Sequence, residues 1–277
     1  MNRALAALAL LCLAAGGCGG GTASLRYRYP RGRVSTYRWT IDGTATSPGA
    51  SHTVHLEAAV REEVLASLPR GGGRLRLTLE PGTALQDARP IDPGPALSLD
   101  LDVGPDGHVI RITGTPSVPV GAIDALDLGR LLAESRPPLP ARGVRLRDRW
   151  NADVSSSGAA SSIRLTGTGR LEGFSLAGGR RLATIGIARQ GQVVAASNGP
   201  GSVLSPTPVP APGTLTGTAT DTTSAQFDLD RGLVVEATSS ATSAVTIPTP
   251  QGTPAFASGA LDVRLTTRVT LERASGR

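Results

Sequence analysis

The segment "LDVRLTTRVTLE" (261–272) sets the strongest limit on what this chain can fold into. Leu261, Val263, Leu265, Val269 and Leu271 fall on one side of a period-2 pattern. Asp262, Arg264, Thr266, Arg268, Thr270 and Glu272 fall on the other, with Thr267 the polar exception on the apolar side. Successive side chains of a strand point to opposite faces, so this pattern predicts a strand with one dry and one wet face. "LRYRY" (25–29), "STYRWTI" (35–41), "HTVHLEAAVREEVLA" (52–66), "LSLDLDV" (97–103) and "SAQFDLD" (224–230) alternate in the same way. The turn signals between them are those of hairpins: Asp106-Gly107 in "VGPDGHVI", and Gly232 in "LDRGLVV". The expected fold is mostly β, a curved antiparallel sheet or an open barrel.

The strand pattern is written twice. "RGRVSTYRWTID" (31–42), "LPRGGGRLRLTLEPG" (68–82) and "LSLDLDVGPDGHVIRIT" (97–113) are followed, in the same order, by "RGVRLRDRWNAD" (142–153), "LAGGRRLATIGIARQG" (176–191) and "TSAQFDLDRGLVVEAT" (223–238). Gly32 and Gly143 each precede a tryptophan, Trp39 or Trp150, by the same spacing. The sequence therefore predicts two repeated halves, 25–119 and 142–273. Between them, 120–141 holds Leu126, Leu128, Leu131 and Leu132 at helical spacing, stopped by Pro137-Pro138. This predicts one connecting helix near 121–135, packing its leucines on the sheet. The proline-rich stretch 198–213 has no periodicity and reads as an exposed loop.

The N-terminus carries a different signal. Asn2 and Arg3 precede the apolar run "ALAALALLCLAA" (4–15), and Ala15, Gly16 and Gly17 lead into Cys18. The run is shorter than the roughly 20 residues of a membrane-spanning helix, and its order of charge, apolar core and small residues is that of an export signal over 1–17. Cys12 and Cys18 are the only cysteines. They are too close for a useful disulfide inside a signal segment, and after its removal no internal disulfide can form. The order before Cys18 resembles the lipobox of bacterial lipoproteins, with Ala15 where leucine is preferred. The resemblance implies that Cys18 is lipidated, that 18–24 is a flexible tether, and that the protein is exported and held at the cell membrane. Secretion with an unmodified thiol is the alternative. Leu11 is too large for Cys12 to serve in that role.

Further residues carry the same resemblance. "LRYRYPRGRVSTYRW", "LPARGVRLRDRWNADV" (139–154) and "FDLDRGLVVEA" (227–237) resemble an uncharacterised family of bacterial lipoproteins. Its middle motif is matched at Leu139, Pro140, Val144, Asp148 and Trp150, with Arg147 where the family has glycine. A looser similarity, of architecture alone, is to half-barrel lipid-carrier lipoproteins.

Little in the chain suggests chemistry. Net charge is +6 and, with no lysine present, all 28 basic residues are arginine. They are scattered through alternating segments, without the basic–aromatic clusters of nucleic-acid binding. His52, His55 and His108 have neither cysteine partners nor metal-ligand spacing. Asp100 with Asp102 and Glu62 with Glu63 are the candidate paired carboxylates, and the solvated face of a strand accounts for Asp100 and Asp102. No serine sits in a nucleophile motif. The sequence thus predicts no catalytic, cofactor or metal residues, and a role in binding or structure. A carrier of lipid or another apolar ligand in the concavity of the sheet is the second reading, and a hydrolase the third.

Overall fold

A computed structural model describes residues 22–47, 49–114, 136–157, 161–196, 214–247 and 259–275. The predicted helix near 121–135, the signal over 1–17, residues 18–21 of the tether and the loop at 198–213 lie outside the described residues; the rest of the expected tether, 22–24, is not free, because Ala23 bonds Val144. Thirteen strands account for most of the rest. They are β1 (Val34–Ser47), β2 (Ala50–Ser67), β3 (Gly73–Gln86), β4 (Arg89–Pro90), β5 (Leu97–Val103) and β6 (Val109–Gly114), followed by β7 (Arg149–Asn151), β8 (Val154–Ser157), β9 (Ser161–Ala177), β10 (Arg180–Ala196), β11 (Thr214–Asp228), β12 (Leu233–Ile247) and β13 (Gly259–Ser275). All belong to one antiparallel sheet, ordered β6-β5-β3-β2-β1-β13-β12-β11-β10-β9-β7. The sheet is open, with β6 and β7 at its edges, as a curved sheet rather than a closed barrel.

Pairing runs mostly between strands adjacent in sequence, in 34–114 and in 149–247. In the first, β1 pairs β2, β2 pairs β3, β3 pairs β5 and β5 pairs β6. In the second, β7 and β8 pair β9, β9 pairs β10, β10 pairs β11 and β11 pairs β12. The extra strand β13 joins the halves by pairing with both β12 and β1. The two tryptophans stand differently. Trp39 is buried in the long central strand β1, whereas Trp150 is half-buried in the three-residue edge strand β7. Each faces a small residue across the ladder, Ala58 and Gly169 respectively.

The curl of the sheet follows from what crosses its end. The turns β2–β3, β5–β6, β9–β10 and β11–β12 all lie at one end of the strands. Over them runs the segment 22–30. Its "LRYRY" alternates as expected, with Leu25, Tyr27 and Tyr29 buried and Arg26 and Arg28 exposed. It is extended but joins no ladder, because its backbone bonds to turns instead. The Tyr27 N–H donates to Pro105 O at 2.9 Å and the Arg28 N–H to Gly232 O at 3.0 Å. Pro105 lies in the β5–β6 turn and Gly232 in the β11–β12 turn. Those turns are six strand spacings apart, about 29 Å on a flat sheet at about 4.8 Å per strand. Two consecutive residues bridge them, spanning roughly 7 Å. The sheet is therefore rolled tightly at this end.

The roll is filled by 22–30 and by 136–144, tied together by reciprocal bonds between Ala23 and Val144 of 2.7 and 2.9 Å. One core cluster joins Leu25, Tyr27, Tyr29, Leu139 and Val144 of these segments to the apolar faces of the strands, from Leu99 and Leu101 near one edge to Leu171 near the other. Tyr27 meets Phe227 edge-on at 5.3 Å between ring centroids, a favoured aromatic geometry. Gly232, at φ 64°, could not carry a side chain, since a Cβ there would lie 2.7 Å from the Arg28 backbone nitrogen.

On the outer face arginine–carboxylate pairs cross the strands. Arg76 holds Asp100 through two bonds of 2.8 Å, and Asp102 takes both Arg74 and Arg111 at 2.8 Å. The arginines thus neutralise both candidate carboxylates. The hydrogen bond from Arg74 holds the Asp102 carboxyl below the usual carboxylate range, against burial, which would raise it. A depressed carboxyl adds stability that is present above its unfolded pKa of about 3.9 and is lost as pH falls through the lower folded value. Asp102→Asn is therefore expected to lower Tm at neutral pH and to flatten the fall of Tm below about pH 4. An unchanged acid limb in the variant would assign that fall to other carboxylates.

Candidate functional site

The three segments that carry the lipoprotein-like motifs, distant in sequence, meet at the rolled end. Tyr27 packs on Phe227, Arg28 bonds Gly232, and Ala23 bridges Val144. In the Phe-Asp-x-x-x-Gly hairpin, Asp228 Oδ1 accepts the N–H groups of Asp230 and Arg231 at 2.9 and 2.8 Å, shaping the turn. In the middle motif Leu139 and Val144 are buried, and the Trp150 indole N–H donates to Pro138 O at 2.8 Å. Arg147 is held at φ 71°. That is the left-handed region, which glycine enters without strain.

Inside the roll, Glu62 departs from the apolar pattern. Alternation along β2 aims it inward between Val60 and Val64, and turns Glu63 outward to pair with Arg61 at 3.1 Å. The two are thus not a carboxylate pair. Arg136 donates from Nη2 to Glu62 Oε2, and Arg33 Nη2 lies 3.6 Å from Oε1. All three side chains are buried. Burial works most strongly against the charge of Arg136, but Glu62 and the surrounding tyrosines together outweigh it and the guanidinium stays protonated. Burial also raises the pKa of Tyr27, Tyr29 and Tyr37, keeping their hydroxyls neutral. A cavity with about 30 Å³ of free volume adjoins the cluster. This end of the sheet is packed rather than hollow.

Further along the strands the inward face changes character. A row of Thr223, Ser239 and Thr267 crosses β11, β12 and β13 as mutual ladder partners, all buried. Beside it Arg189 and Asp221, direct partners on β10 and β11, form a salt bridge with both side chains 1% exposed. Arg189 keeps Nε and Nη1 without hydrogen-bond partners. Beyond lie two apolar patches: Ile41, Ala241 and Leu265 with Leu56, and Ile163, Leu165 and Ala219 with Val193. Among the described residues each patch is built from neighbouring strands of one face. The rolled-end core, by contrast, packs two crossing segments against the sheet.

The histidines are on the periphery. His52 Nδ1 lies 2.8 Å from Asp87 Oδ2, and this contact is the main reason that the Asp87 carboxyl sits below its usual range. His55 Nδ1 lies 2.8 Å from Asp42 Oδ1 in an open groove of about 450 Å³ shared with Thr44, Thr53, Arg264 and Thr266. The other ring nitrogen of His55 faces Glu57 at 3.9 Å, so this His–Asp pair has a second carboxylate where a hydrolase would place its nucleophile. Among the described residues no three potential metal ligands cluster. Cys18 lies outside the described residues.

No family model matches the chain, and no curated protein matches it. Solved structures do match. In fold, the chain resembles part of lipovitellin. That structure, described as showing lipid–protein interactions in lipovitellin, aligns with a TM-score of 0.52 at 11% identity over 90% of this chain and 26% of the other. The chain thus spans about a quarter of that protein, and at this identity the likeness is one of fold.

The strained position in the middle motif gives a direct test. Arg147→Gly removes a left-handed arginine, whose conformation costs about 1–2 kcal/mol, at a backbone-entropy cost of up to about 1 kcal/mol. The variant is expected to be more stable by about 0.5–1 kcal/mol in urea unfolding. A loss of stability would show that the Arg147 side chain contributes more than its backbone costs.

Proposed function

We propose that this protein binds lipid or another apolar ligand against the inward face of its sheet, beyond the rolled end, and does so at a membrane to which lipid on Cys18 anchors it. The observation that carries the reading is the pair of apolar patches around Leu265 and Leu165, whose side chains are buried although, among the described residues, the apolar neighbours packed with them all come from adjacent strands of the same face. A concave apolar wall with a few polar groups is the general form of a small-molecule site. The fold likeness to lipovitellin, a protein whose structure was described for its lipid interactions, supports the same reading. The anchor is supported by the order of charge, apolar run and small residues before Cys18. The role is binding without catalysis, a reading supported by the placement of His55 between two carboxylates.

Mass spectrometry of the natively purified protein is expected to find co-purifying lipid. Leu265→Arg should reduce its recovery about tenfold, since one buried leucine contributes about 1.5–3 kcal/mol. Leu176→Arg, on a side chain already 74% exposed, should leave recovery unchanged. Native protein free of lipid, or equal recovery from both variants, would remove the carrier reading.

The anchor is tested separately. Cys18→Ala is expected to move the protein from the membrane fraction to the soluble fraction, because each buried CH₂ of an acyl chain contributes about 0.8 kcal/mol of membrane affinity. Membrane fractionation that survives the substitution would assign attachment elsewhere.

A further inference from the structure

The N-terminal segment enters the rolled end beside an exposed apolar surface. Thr22, the first described residue, lies against Gly143, and Ala23 forms its bridge with Val144. Two residues on, Leu146 is 50% exposed, in a turn closed by the Asp148 N–H on Arg145 O at 3.0 Å. That turn abuts β9. The Arg147 N–H donates to Leu171 O at 2.8 Å, and the Leu171 N–H to Asp148 O at 3.2 Å. Past Leu171, β9 pairs only with β10 among the described residues. From Phe174 to Arg181 every residue of this hairpin is exposed. Phe174 and Leu176 share one face of the strand and are 48% and 74% exposed. Among the described residues the other exposed large apolar side chains are Ile110 and Ile112, on β6.

Arginines border these apolar side chains. Arg145 and Arg147 stand on either side of Leu146, and Arg180 and Arg181 follow the turn Ala177-Gly178-Gly179, all exposed. The neighbouring acids are engaged within the fold. Asp148 Oδ2 accepts the Arg145 N–H at 2.8 Å, Asp230 pairs with Arg181, and Glu172 lies over Gly186 of β10. Exposed apolar residues flanked by arginines suit a membrane interface, where the apolar parts enter the acyl boundary and the guanidiniums stay with the phosphates.

We propose that Leu146 and the β9–β10 hairpin form a face that docks on an anionic lipid bilayer, with Phe174 and Leu176 inserted at headgroup depth. One part of the argument rests on the reading of Cys18 as the anchor. Cys18 lies four residues before Thr22, a span of at most roughly 14 Å, so lipid on it holds a bilayer that close to this end of the sheet. The depth of insertion is set by the backbone. The outer edge of β9 past Leu171 lacks ladder partners among the described residues, and hydrocarbon does not tolerate such an edge. A second copy docked through the same face would set these arginines against their own equivalents, which disfavours it. Docking here orients the molecule: the rolled end faces the membrane, and the β1–β2 turn at the other end of the strands points away from it.

The test uses the exported chain from residue 18 with Cys18→Ala. It carries no lipid, so a failure to dock and a failure of the anchor are read separately. An environment-sensitive fluorophore on Ala177→Cys, at the hairpin tip, is expected to shift its emission to the blue, saturably, on addition of phosphatidylglycerol vesicles. The same fluorophore on Ala50→Cys, at the β1–β2 turn, should not respond. Phe174→Ser combined with Leu176→Ser should weaken the apparent vesicle affinity at least about tenfold. Phosphatidylcholine vesicles should bind more weakly, by about fivefold for each arginine engaged. No shift at Ala177, equal shifts at Ala177 and Ala50, or equal affinity for the two lipids overturns the proposal. A shift that follows protein concentration without vesicles assigns the face to a second copy and also overturns it. Phe174 and Leu176 already face solvent, so the double variant should keep the parent Tm; should it not, the comparison of Ala177 with Ala50 decides.

Discussion

Two consecutive backbone hydrogen bonds, from Tyr27 to Pro105 and from Arg28 to Gly232, set the shape of this protein. They join turns that a flat sheet would hold far apart, so the strands must roll. Once rolled, Tyr27 can reach Phe227, and the apolar faces near both edges can share one core. Gly232 follows from the same crossing, since any larger residue would displace the backbone of Arg28. The segments 22–30, 136–144 and 227–237 are the parts that make this closure.

Along the strands the inward face passes from aromatic and aliphatic residues, through a buried polar row with the Arg189–Asp221 pair, to small and aliphatic patches. The rolled end packs two crossing segments against the sheet, whereas the far patches, also buried, are built within one face of the sheet among the described residues.

Much of this was legible in the chain and some was not, for physical reasons. Alternation such as that of 261–272 is imposed by strand geometry, so β13, β1 and β5 could be read directly. Gly107 and Gly232, both at positive φ, marked their hairpin turns. The role of "LRYRY" could not be read, because an extended segment bonded to turns alternates as a strand does. The helix expected to fill the sheet lies outside the described residues, and the filling seen is by two extended segments. Glu62 and Glu63 looked like neighbours, yet period 2 sends them to opposite faces. Arg33 and Arg136 are far apart in sequence, so only the roll brings them to one carboxylate.

The seam between β1 and β13 links Val34 to Ser275, a separation of 241 residues. Pairing at such distance carries a large loop-closure entropy and slows folding. The centre of the sheet, normally the earliest part of a meander to form, is here the part that must wait for the final strand. Until β13 arrives, β1 presents an unpaired edge in the middle of the future sheet, the kind of edge that invites pairing with another chain. The architecture therefore trades a kinetic exposure during synthesis for a mature form in which both strands of the seam, β1 and β13, are internal.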